Sequence, residues 1–245
     1  MDNNISSALS SYLRAHNVAP DAFTGFRCVL FDMDGVLYDS MPHHAIAWQQ
    51  SMAQFGLHMT AADAYATEGA RGIDTIRHFV KEQQGKDITL DEAQKIYDVK
   101  TGIFHQMGEA PIFEGVMPLM ERIKAAGMKI CIVTGSGQRP LIKRLADEFH
   151  EFIDEEHIVT AYDVKRGKPN PDPYLMGLQK CGCRPTEGIV VENAPLGIRA
   201  GVAAGCFTVA INSGPLPDET LAAERCNLLY PSIVEFLHHA EELFC

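Results

Sequence analysis

Short, uninterrupted apolar segments recur along this chain, with helical patterns between them. The first segment, FRCVLF at residues 26–31, stops abruptly at the polar segment DMDGVLYDS. A continuous apolar run of this length is typical of a strand that is buried on both faces, as in a parallel sheet. Alternating strands and helices predict a doubly wound α/β domain. The later strand-like segments are KICIVT (129–134), HIVTA (157–161), GIVVE (188–192), CFTVAI (206–211) and NLLY (227–230).

The stretch after the first predicted strand has a different pattern. It contains AIAWQQSMAQFGL, GIDTIRHFVKEQQG and LDEAQKIYDVKTGIFHQM, which all have helical periodicity and contain no strand-like run. We therefore expect an all-helical cap inserted into the α/β core, with hinges near Ser40 and Pro111. The predicted domains are an N-terminal helical extension at 1–24, a core at 25–40 and 111–245, and a cap at 41–110.

Composition excludes several classes of function. The formal net charge of -11 at pH 7 opposes binding to nucleic acid and to anionic membranes. The first twenty residues lack the basic start and apolar core of a signal peptide, and no apolar run is long enough to span a bilayer. The seven cysteines are odd in number and irregularly spaced, so we expect reduced thiols in a cytoplasmic protein. A Cys181-x-Cys183 pair without a second pair or a nearby histidine gives only a weak indication of metal or redox chemistry.

Polar residues follow several of the predicted strands directly. Because the carboxyl ends of parallel strands meet at one edge of the sheet, these residues are expected to share one site, together with Lys168 in the loop after the third run. The residues that end the first, second and fourth strand-like runs are Asp32 and Asp34, Thr134 and Ser136, and Glu192 and Asn193.

Two carboxylates at the end of a buried strand are costly unless a cation neutralises them. Mg²⁺ prefers one or two carboxylates together with phosphate oxygens and water, which fits Asp32 and Asp34. Glu192 and Asn193 offer three more side-chain oxygens as ligands or as hydrogen-bond partners of ligands. Taken alone, the D-x-D-G pattern would equally fit a surface turn or a calcium loop.

Two further segments fit the binding of an anion. VTGS (133–136) places hydroxyl groups and the backbone of Gly135 before a helix, although a plain helix cap would look the same. GKPNPDPY (167–174) holds Lys168 between Gly167 and Pro169, where a fixed ammonium can pair with a carboxylate and counter phosphoryl charge. The alternative for Lys168 is a solvated surface lysine.

The four segments DMDGV, VTGS, GKPNPDPY and VVENAPLG, in this order, resemble the haloacid dehalogenase superfamily. Within it the chain is similar to the β-phosphoglucomutase-like group, which includes sugar phosphatases, mutases and small pyrophosphatases with a helical cap. The resemblance implies that Asp32 becomes an aspartyl phosphate and that Asp34 acts as general acid and then general base. It also implies a Mg²⁺ ion held by Asp32, the carbonyl of Asp34 and the Glu192-Asn193 pair, with Thr134, Ser136 and Lys168 holding the phosphoryl oxygens.

One core position departs from the pattern of that group. The group usually ends its fourth strand with two acids, whereas this chain has Glu192 followed by Asn193. An amide oxygen can still ligate Mg²⁺ but carries no charge. Either metal affinity is lower or Glu192 carries more of the ligation.

The cap contributes four predicted residues for binding the substrate or its phosphate, His44, Glu68, Arg71 and Lys100, and it decides between hydrolase and mutase. By its spacing to Trp48, His44 matches a histidine of the mutase-like cap, and Lys100 matches a later lysine, although each could be an ordinary helix residue. The loop EGARGID (68–74) departs, because Arg71 stands one place before the expected arginine and Glu68 stands where a cation is common. A carboxylate there would repel a second phosphate.

The sequence therefore favours Mg²⁺-dependent hydrolysis of a small phosphate compound, either pyrophosphate or a sugar phosphate. The alternative is a β-phosphoglucomutase that interconverts β-glucose 1-phosphate and glucose 6-phosphate. A non-catalytic binding protein is a remote alternative, because nucleophile, acid/base, lysine and metal residues are all present. We expect a small phosphorylated substrate as the partner, and a monomer or a weak homo-oligomer.

Overall fold

The computed structural model describes residues 4–244, and its centre is a parallel sheet. Within these residues the sheet has six strands in the order β3-β2-β1-β4-β5-β6, so the chain crosses from one side of β1 to the other between β3 and β4. This is the doubly wound α/β fold that the sequence predicts. The strands are β1 (Cys28–Phe31), β2 (Lys129–Val133), β3 (Ile158–Val159), β4 (Gly188–Glu192), β5 (Phe207–Ile211) and β6 (Leu228–Tyr230).

Helices cover both faces of the sheet. Along β1, Val29 and Phe31 belong to one buried cluster, whereas Cys28 and Leu30 belong to another, as expected from the two-residue period of a strand. The helices are α1 (Ile5–Ala15), α2 (Met41–Gln54), α3 (Ala61–Ala66), α4 (Gly72–Gln84), α5 (Leu90–His105), α6 (Val116–Ala125), α7 (Arg139–Glu148), α8 (Asp172–Cys181), α9 (Pro195–Ala203), α10 (Asp218–Ala222) and α11 (Ile233–His239).

The third predicted strand is shorter than its apolar run. Of HIVTA only Ile158 and Val159 pair with β2. The next residue, Thr160, turns away because its backbone N–H and hydroxyl group both donate to Asp163 Oδ2, at 2.8 and 2.7 Å. This local turn ends the ladder before the apolar pattern ends.

The region predicted as a cap consists of α2 to α5 and has a buried cluster of its own. Trp48, Met52, Ile76, Phe79 and Ile96 are among its members. The prediction of an all-helical insert after the first strand agrees with this arrangement, while the domain boundaries at residues 40/41 and 110/111 stay a prediction.

The N-terminal helix packs on the core. Ile5, Tyr12 and Leu13 are buried in the main cluster, and the Tyr12 hydroxyl donates to the carbonyl oxygen of Gly205 at 2.7 Å. The apolar stripe of α1 therefore makes it part of the core packing, a role that its mostly polar sequence did not reveal. Residues 1–3 of the predicted extension lie outside the described residues.

Two other expectations concern the chain as a whole. No helix among residues 4–244 is long and apolar enough to cross a lipid bilayer. The six cysteines in this range are free thiols, and Cys245 lies outside the described residues.

The two segments that join core and cap run side by side. The Asp39 N–H donates to the carbonyl of Pro111 at 2.9 Å, and the Phe113 N–H donates to the carbonyl of Leu37 at 2.9 Å. Ser40 directly precedes α2. Both linkers therefore pass through one short region, which supports the predicted hinge positions.

Arg144 of α7 contacts both linkers and connects them to the core. Arg144 lies 4.5 Å from the ring centre of Tyr38 in the first linker and donates to the carbonyl of Ala110 before the second, at 2.8 Å. Glu148 accepts from Arg144 Nε at 3.0 Å and from the Tyr38 hydroxyl at 2.5 Å. We call Tyr38, Arg144 and Glu148 the linker clasp.

We predict that Arg144→Met lowers the free energy of unfolding by about 2 kcal/mol, because a cation–π contact and charged hydrogen bonds are lost from a largely buried site. Urea denaturation of the purified variants measures the effect. Lys143→Met is the matched control on the same helix: its exposed ion pair with Asp147 should contribute below about 0.5 kcal/mol. Equal losses in the two variants would contradict a role for the clasp.

Candidate functional site

Lys168 is the centre of the predicted site. Its Nζ atom donates to Asp32 Oδ1 at 2.5 Å, to Glu192 Oε1 at 2.6 Å and to the carbonyl oxygen of Val133 at 3.0 Å. These partners end β1, β4 and β2, which are neighbours in the sheet. The structure thus brings together the strand-end residues that the sequence predicts would meet, and Lys168 is a buried residue rather than a solvated one.

The charges around Lys168 do not balance. Burial alone would lower the pKa of this ammonium, but Asp32 and Glu192 outweigh burial and raise it. Burial raises the pKa of Asp32 well above its usual range, and the negative charges of Glu192 and Asp34 add to this, while Lys168 opposes it. One ammonium among three carboxylates leaves a negative excess, which a further cation would relieve.

Both carboxylate oxygens of Glu192 accept two hydrogen bonds each. Besides Lys168, its Oε1 accepts from the Tyr174 hydroxyl at 2.6 Å. Its Oε2 accepts from the backbone N–H groups of Asn193 and Ala194 at 3.0 and 3.3 Å. Both oxygens are therefore occupied, and Glu192 is arranged to hold Lys168 rather than to offer a free oxygen to a metal ion.

Two oxygens of the residues that follow or end β1 and β4 lack partners. Asp32 Oδ2 and Asn193 Oδ1 are buried and accept no hydrogen bond from the residues that the structure describes. Unsatisfied buried oxygens are uncommon in folded proteins, and a carboxylate oxygen beside an amide oxygen is a ligand set that suits a hard divalent cation. The residues present therefore fit a divalent metal ion, with Asn193 as the better candidate ligand of the Glu192-Asn193 pair.

Gly35 makes room for this arrangement. Its φ angle of +83° favours glycine, and a Cβ atom would lie 2.0 Å from Asn193 Nδ2. The glycine of D-x-D-G thus turns the backbone and lets the side chain of Asn193 pack closely against this turn.

Asp34 is surrounded by groups that stabilise its carboxylate. Ser40 Oγ donates to Asp34 Oδ1 at 2.6 Å, and His44 Nε2 lies 3.1 Å from the same oxygen. Burial opposes ionisation, but His44, Ser40 and Lys100 outweigh it and lower the pKa of Asp34.

Lys100 extends this network into the cap. Its Nζ lies 2.6 Å from His44 Nδ1, which can accept a hydrogen bond from the ammonium, while His44 Nε2 is buried near Asp34 Oδ1 without the geometry of a hydrogen bond. Burial lowers the pKa of Lys100 to about 8, against the opposing effects of Glu68 and Asp34. Two helices of the cap, α2 and α5, therefore place His44 and Lys100 against a carboxylate of the core.

The VTGS segment forms a tight loop at the end of β2. Thr134 Oγ1 accepts from the Ser136 N–H at 3.0 Å, and Ser136 Oγ accepts from the Gln138 N–H at 3.2 Å. Both hydroxyl groups thus also take part in local turns, as a plain cap would predict. A Cβ atom at Gly135 would lie 2.8 Å from the carbonyl oxygen of Gly69, so the cap loop touches this segment.

The same cap loop covers Lys168. A Cβ atom at Gly69 would lie 3.0 Å from Lys168 Cδ. Burial raises the pKa of the neighbouring Glu68, with Asp34 adding to this effect, whereas His44 and Lys100 oppose it. Glu68 is thus close enough to the site to share its electrostatics.

Arg71 lies beside the site without reaching Asp32. Its Nε donates to Asp74 Oδ2 at 2.7 Å, and its Nη1 donates to the carbonyl oxygen of Lys165 at 2.8 Å. The guanidinium therefore links cap and core at the rim. It lines a cleft of about 610 Å³ between α4, α5 and the core loop 135–138, together with Tyr97 and Gln138.

Three residues of this site are not among those that the sequence predicts. The Tyr174 hydroxyl donates to Glu192, and the hydroxyl of Ser40, which is predicted only as a hinge residue, donates to Asp34. Gln138 lines the cleft, and its buried Oε1 accepts no hydrogen bond from the described residues. Tyr174 ends the GKPNPDPY segment, so its place in that segment was the available signal. The other two were not recognisable without the fold.

Comparison with known proteins places this geometry in a family. The family model described as haloacid dehalogenase-like hydrolase matches residues 26–205. Hexitol phosphatase A of Escherichia coli is 34% identical over 204 residues, which cover 83% of this chain and 90% of that protein. The beta-phosphoglucomutase of Bacillus subtilis is 25% identical over 236 residues, which cover 89% of this chain and 96% of that protein.

Solved structures support the same assignment. A candidate beta-phosphoglucomutase from Bacteroides vulgatus has 43% sequence identity and a TM-score of 0.91, covering 97% of this chain and 95% of that one. The resemblance stated from the four sequence segments is thus confirmed, as is the α/β fold with a helical cap. The chain belongs to the haloacid dehalogenase-like hydrolase family and is an enzyme.

Proposed function

We propose that this enzyme is a Mg²⁺-dependent hydrolase of a small phosphate compound, with pyrophosphate as the first candidate and a sugar phosphate as the second. The observation that carries this choice is Glu68. The cap loop brings this carboxylate into electrostatic contact with Asp34, His44 and Lys100, above the buried Lys168. A cap that contributes an acid at this place is poorly suited to hold a second phosphate group of a bisphosphate.

The covalent step belongs to Asp32. Lys168 occupies Asp32 Oδ1, so the unpaired Oδ2 is the oxygen that is free to face a cation and a phosphorus atom. Attack of this carboxylate forms an aspartyl phosphate, which water then hydrolyses. Glu192 and Tyr174 fix the ammonium of Lys168, which in turn fixes the nucleophile.

Asp32, Asn193 and the backbone carbonyl of Asp34 are the groups that would hold Mg²⁺. When bound, the ion supplies positive charge that favours the ionised nucleophile and polarises the phosphoryl oxygens. Glu192 was also predicted as a ligand, but its saturated oxygens favour a supporting role.

The phosphoryl oxygens require further donors. Lys168, the hydroxyl groups of Thr134 and Ser136 and the backbone of Gly135 line the end of β2, where they can counter charge on these oxygens. Positioning and charge account for most of the catalysis in this class of reaction.

Asp34 is the acid/base group. In its protonated form it donates a proton to the leaving oxygen as Asp32 attacks phosphorus. The resulting carboxylate, which the lowered pKa favours, then accepts a proton from the water that hydrolyses the aspartyl phosphate. His44 and Lys100 orient it from the cap, so proton transfer is coupled to the closed position of the cap.

The size and the charge of the site favour pyrophosphate as the substrate. Asp32, Asp34 and Lys168 are all buried beneath the cap loop, which leaves little room close to the nucleophile. A pyrophosphate complexed with Mg²⁺ tolerates Glu68, because the metal charge offsets the carboxylate. Sugar phosphates remain the second candidate, because hexitol phosphatase A is a relative and the cleft of about 610 Å³ could receive a sugar.

A phosphoglucomutase activity is the second candidate function. The specific observation in its favour is the pairing of His44 with Lys100 beside Asp34, because both residues match the mutase-like cap. The high structural similarity to the Bacteroides vulgatus protein also supports it.

A substrate panel tests the proposal. We expect purified enzyme with Mg²⁺ to release phosphate from pyrophosphate, hexose phosphates or hexitol phosphates, and Asp32→Asn to lower kcat by at least about 1000-fold because the nucleophile is lost. A coupled assay with β-glucose 1-phosphate runs in parallel. Isomerisation with little free phosphate would reject the hydrolase, and substantial turnover by Asp32→Asn would reject covalent catalysis.

We predict that Glu68→Gln separates the two substrate classes. Removing the carboxylate should lower kcat/KM for pyrophosphate by about 10- to 100-fold, because attraction to the metal-complexed substrate is lost, while sugar phosphates should not lose activity. Glu82→Gln, an exposed carboxylate on α4, is the matched control in the cap. Unchanged pyrophosphate kinetics in Glu68→Gln would contradict the pyrophosphate assignment.

We predict that Asn193→Asp lowers the Mg²⁺ concentration needed for half-maximal activity by about tenfold, since the added charge strengthens ligation. Asn193→Ala should raise that concentration to a similar extent because a ligand is lost. Titration of activity and calorimetric Mg²⁺ binding measure both changes. If neither substitution alters Mg²⁺ affinity, Asn193 is not a ligand.

A further inference from the structure

A second cavity reaches Asp34 from the side of the hinge. It has a volume of about 260 Å³ and lies between the two linkers, the end of α5 and the start of α7. We call this space the hinge cavity. The lining residues on which the inference depends are Asp34, Ser40, Phe104, Glu109, Leu141 and Arg144. The acid/base residue of the site therefore borders a space on the hinge side of the molecule.

The hinge cavity is separate from the cleft of about 610 Å³. Residues of α4, of α5 and of the loop 135–138 line the cleft, and no residue among 4–244 lines both spaces. Asp34 lines the hinge cavity and does not line the cleft. The site can thus be approached from two sides, and only the cleft is large enough to receive a sugar phosphate.

Two neighbours of the Asp34 carboxylate connect it to the hinge cavity. Ser40 Oγ donates to Asp34 Oδ1 at 2.6 Å, and Ser40 also lines the cavity. The ring centre of Phe104, another lining residue, lies 4.3 Å from that of His44, whose Nε2 lies 3.1 Å from the same carboxylate oxygen. The cavity therefore ends at the hydroxyl group and the ring that pack around the acid/base group.

The lining of the hinge cavity suits water. A buried water molecule needs about 30 Å³ and two to four polar partners, so several molecules fit into this volume. Ser40, Glu109 and Arg144 supply a hydroxyl, a carboxylate and a guanidinium group, while Phe104 and Leu141 add apolar wall. An anionic substrate is less suited to this space, because two carboxylates, those of Asp34 and Glu109, border it.

Hydrolysis of an aspartyl phosphate needs water at a stage when the cap should stay closed. Two cap residues, His44 and Lys100, form the network beside Asp34, and the cap loop covers Lys168. If the cap opened to admit water, it would withdraw His44 and Lys100 from Asp34 at the step in which Asp34 accepts a proton. A route that admits water without this opening keeps the network assembled.

We propose that the hinge cavity supplies the water that hydrolyses the aspartyl phosphate while the cap remains closed. The water oxygen attacks phosphorus, and Asp34 takes one of its protons. The bond between phosphorus and the Asp32 oxygen breaks, its electron pair returns to the Asp32 carboxylate, and inorganic phosphate forms with the second proton. This inference rests on the proposed hydrolase function and adds a separate path for its second substrate, water.

Filling the hinge cavity tests the proposal. Leu141 is only partly buried, so Leu141→Trp can place a larger side chain in the cavity without entering the main core. We expect the rate at which the aspartyl phosphate decays to fall by about tenfold, while the rate at which it forms changes by less than about twofold. Rapid acid quenching of excess enzyme mixed with Mg²⁺ and a radiolabelled substrate of the panel measures both rates.

Two further variants of α7 serve as controls. Ile142→Trp makes a change of similar size at the next residue, which is also partly buried but lines a different cavity of about 730 Å³. Its rates of formation and decay should match those of the unmodified enzyme. Leu141→Ala removes side-chain volume from the hinge cavity and should not slow decay. A merely structural role of Leu141 would instead slow both steps in both of its variants.

The outcomes separate this inference from the proposed function. Phosphate release by the unmodified enzyme, together with equal decay rates in Leu141→Trp and Ile142→Trp, would overturn the water route and leave hydrolysis standing. A parallel fall of formation and decay in Leu141→Trp would overturn it as well. If the unmodified enzyme released no phosphate from any compound of the panel, the hydrolase function and the water route would both be rejected.

Discussion

The buried ammonium of Lys168 is the interaction on which the site depends. It gives all three of its hydrogens to acceptors at the ends of three neighbouring strands: Asp32, Glu192 and the carbonyl of Val133. A buried ammonium without such partners would cost several kcal/mol, so the lysine and the strand ends fix one another. Three carboxylates, those of Asp32, Asp34 and Glu192, still lie near this single ammonium group. The negative charge that remains near Lys168 favours the binding of a divalent cation. An acidic protein can in this way still form a binding site for phosphate.

The sequence was sufficient to predict where the core residues meet. Apolar runs ending in polar residues define the strands and their carboxyl ends, and parallel topology brings those ends to one edge, as Asp32 and Glu192 illustrate. It was not sufficient to say which of two adjacent residues faces the cation. Glu192 and Asn193 differ in surroundings, since Tyr174 and two backbone N–H groups occupy Glu192 while Asn193 Oδ1 is unpaired. Such differences arise only when distant segments pack.

The cap was harder to predict for the same reason. Its helices were recognisable from periodicity, but the direction of a surface side chain depends on the neighbouring domain. Arg71 was expected to bind phosphate, yet Asp74 and the carbonyl of Lys165 occupy its guanidinium at the rim. Conversely, Ser40 looked like a linker residue but donates to Asp34. Contacts across the cap–core boundary have no sequence period that could reveal them.

The charge of the cap argues against a substrate that must bind in two orientations. Close to Asp34 the cap contributes the imidazole of His44, one ammonium group, that of Lys100, with a pKa of about 8, and one carboxylate, that of Glu68. These charges nearly cancel, and the charge of Arg71 is offset by Asp74. A mutase intermediate carries two phosphate groups and needs positively charged groups at both of its ends. Hydrolysis needs positive charge only near the nucleophile. Lys168, together with a divalent cation if one is held by Asp32 and Asn193, would meet that single need from the core side, and the cap then has to close the site and hold Asp34.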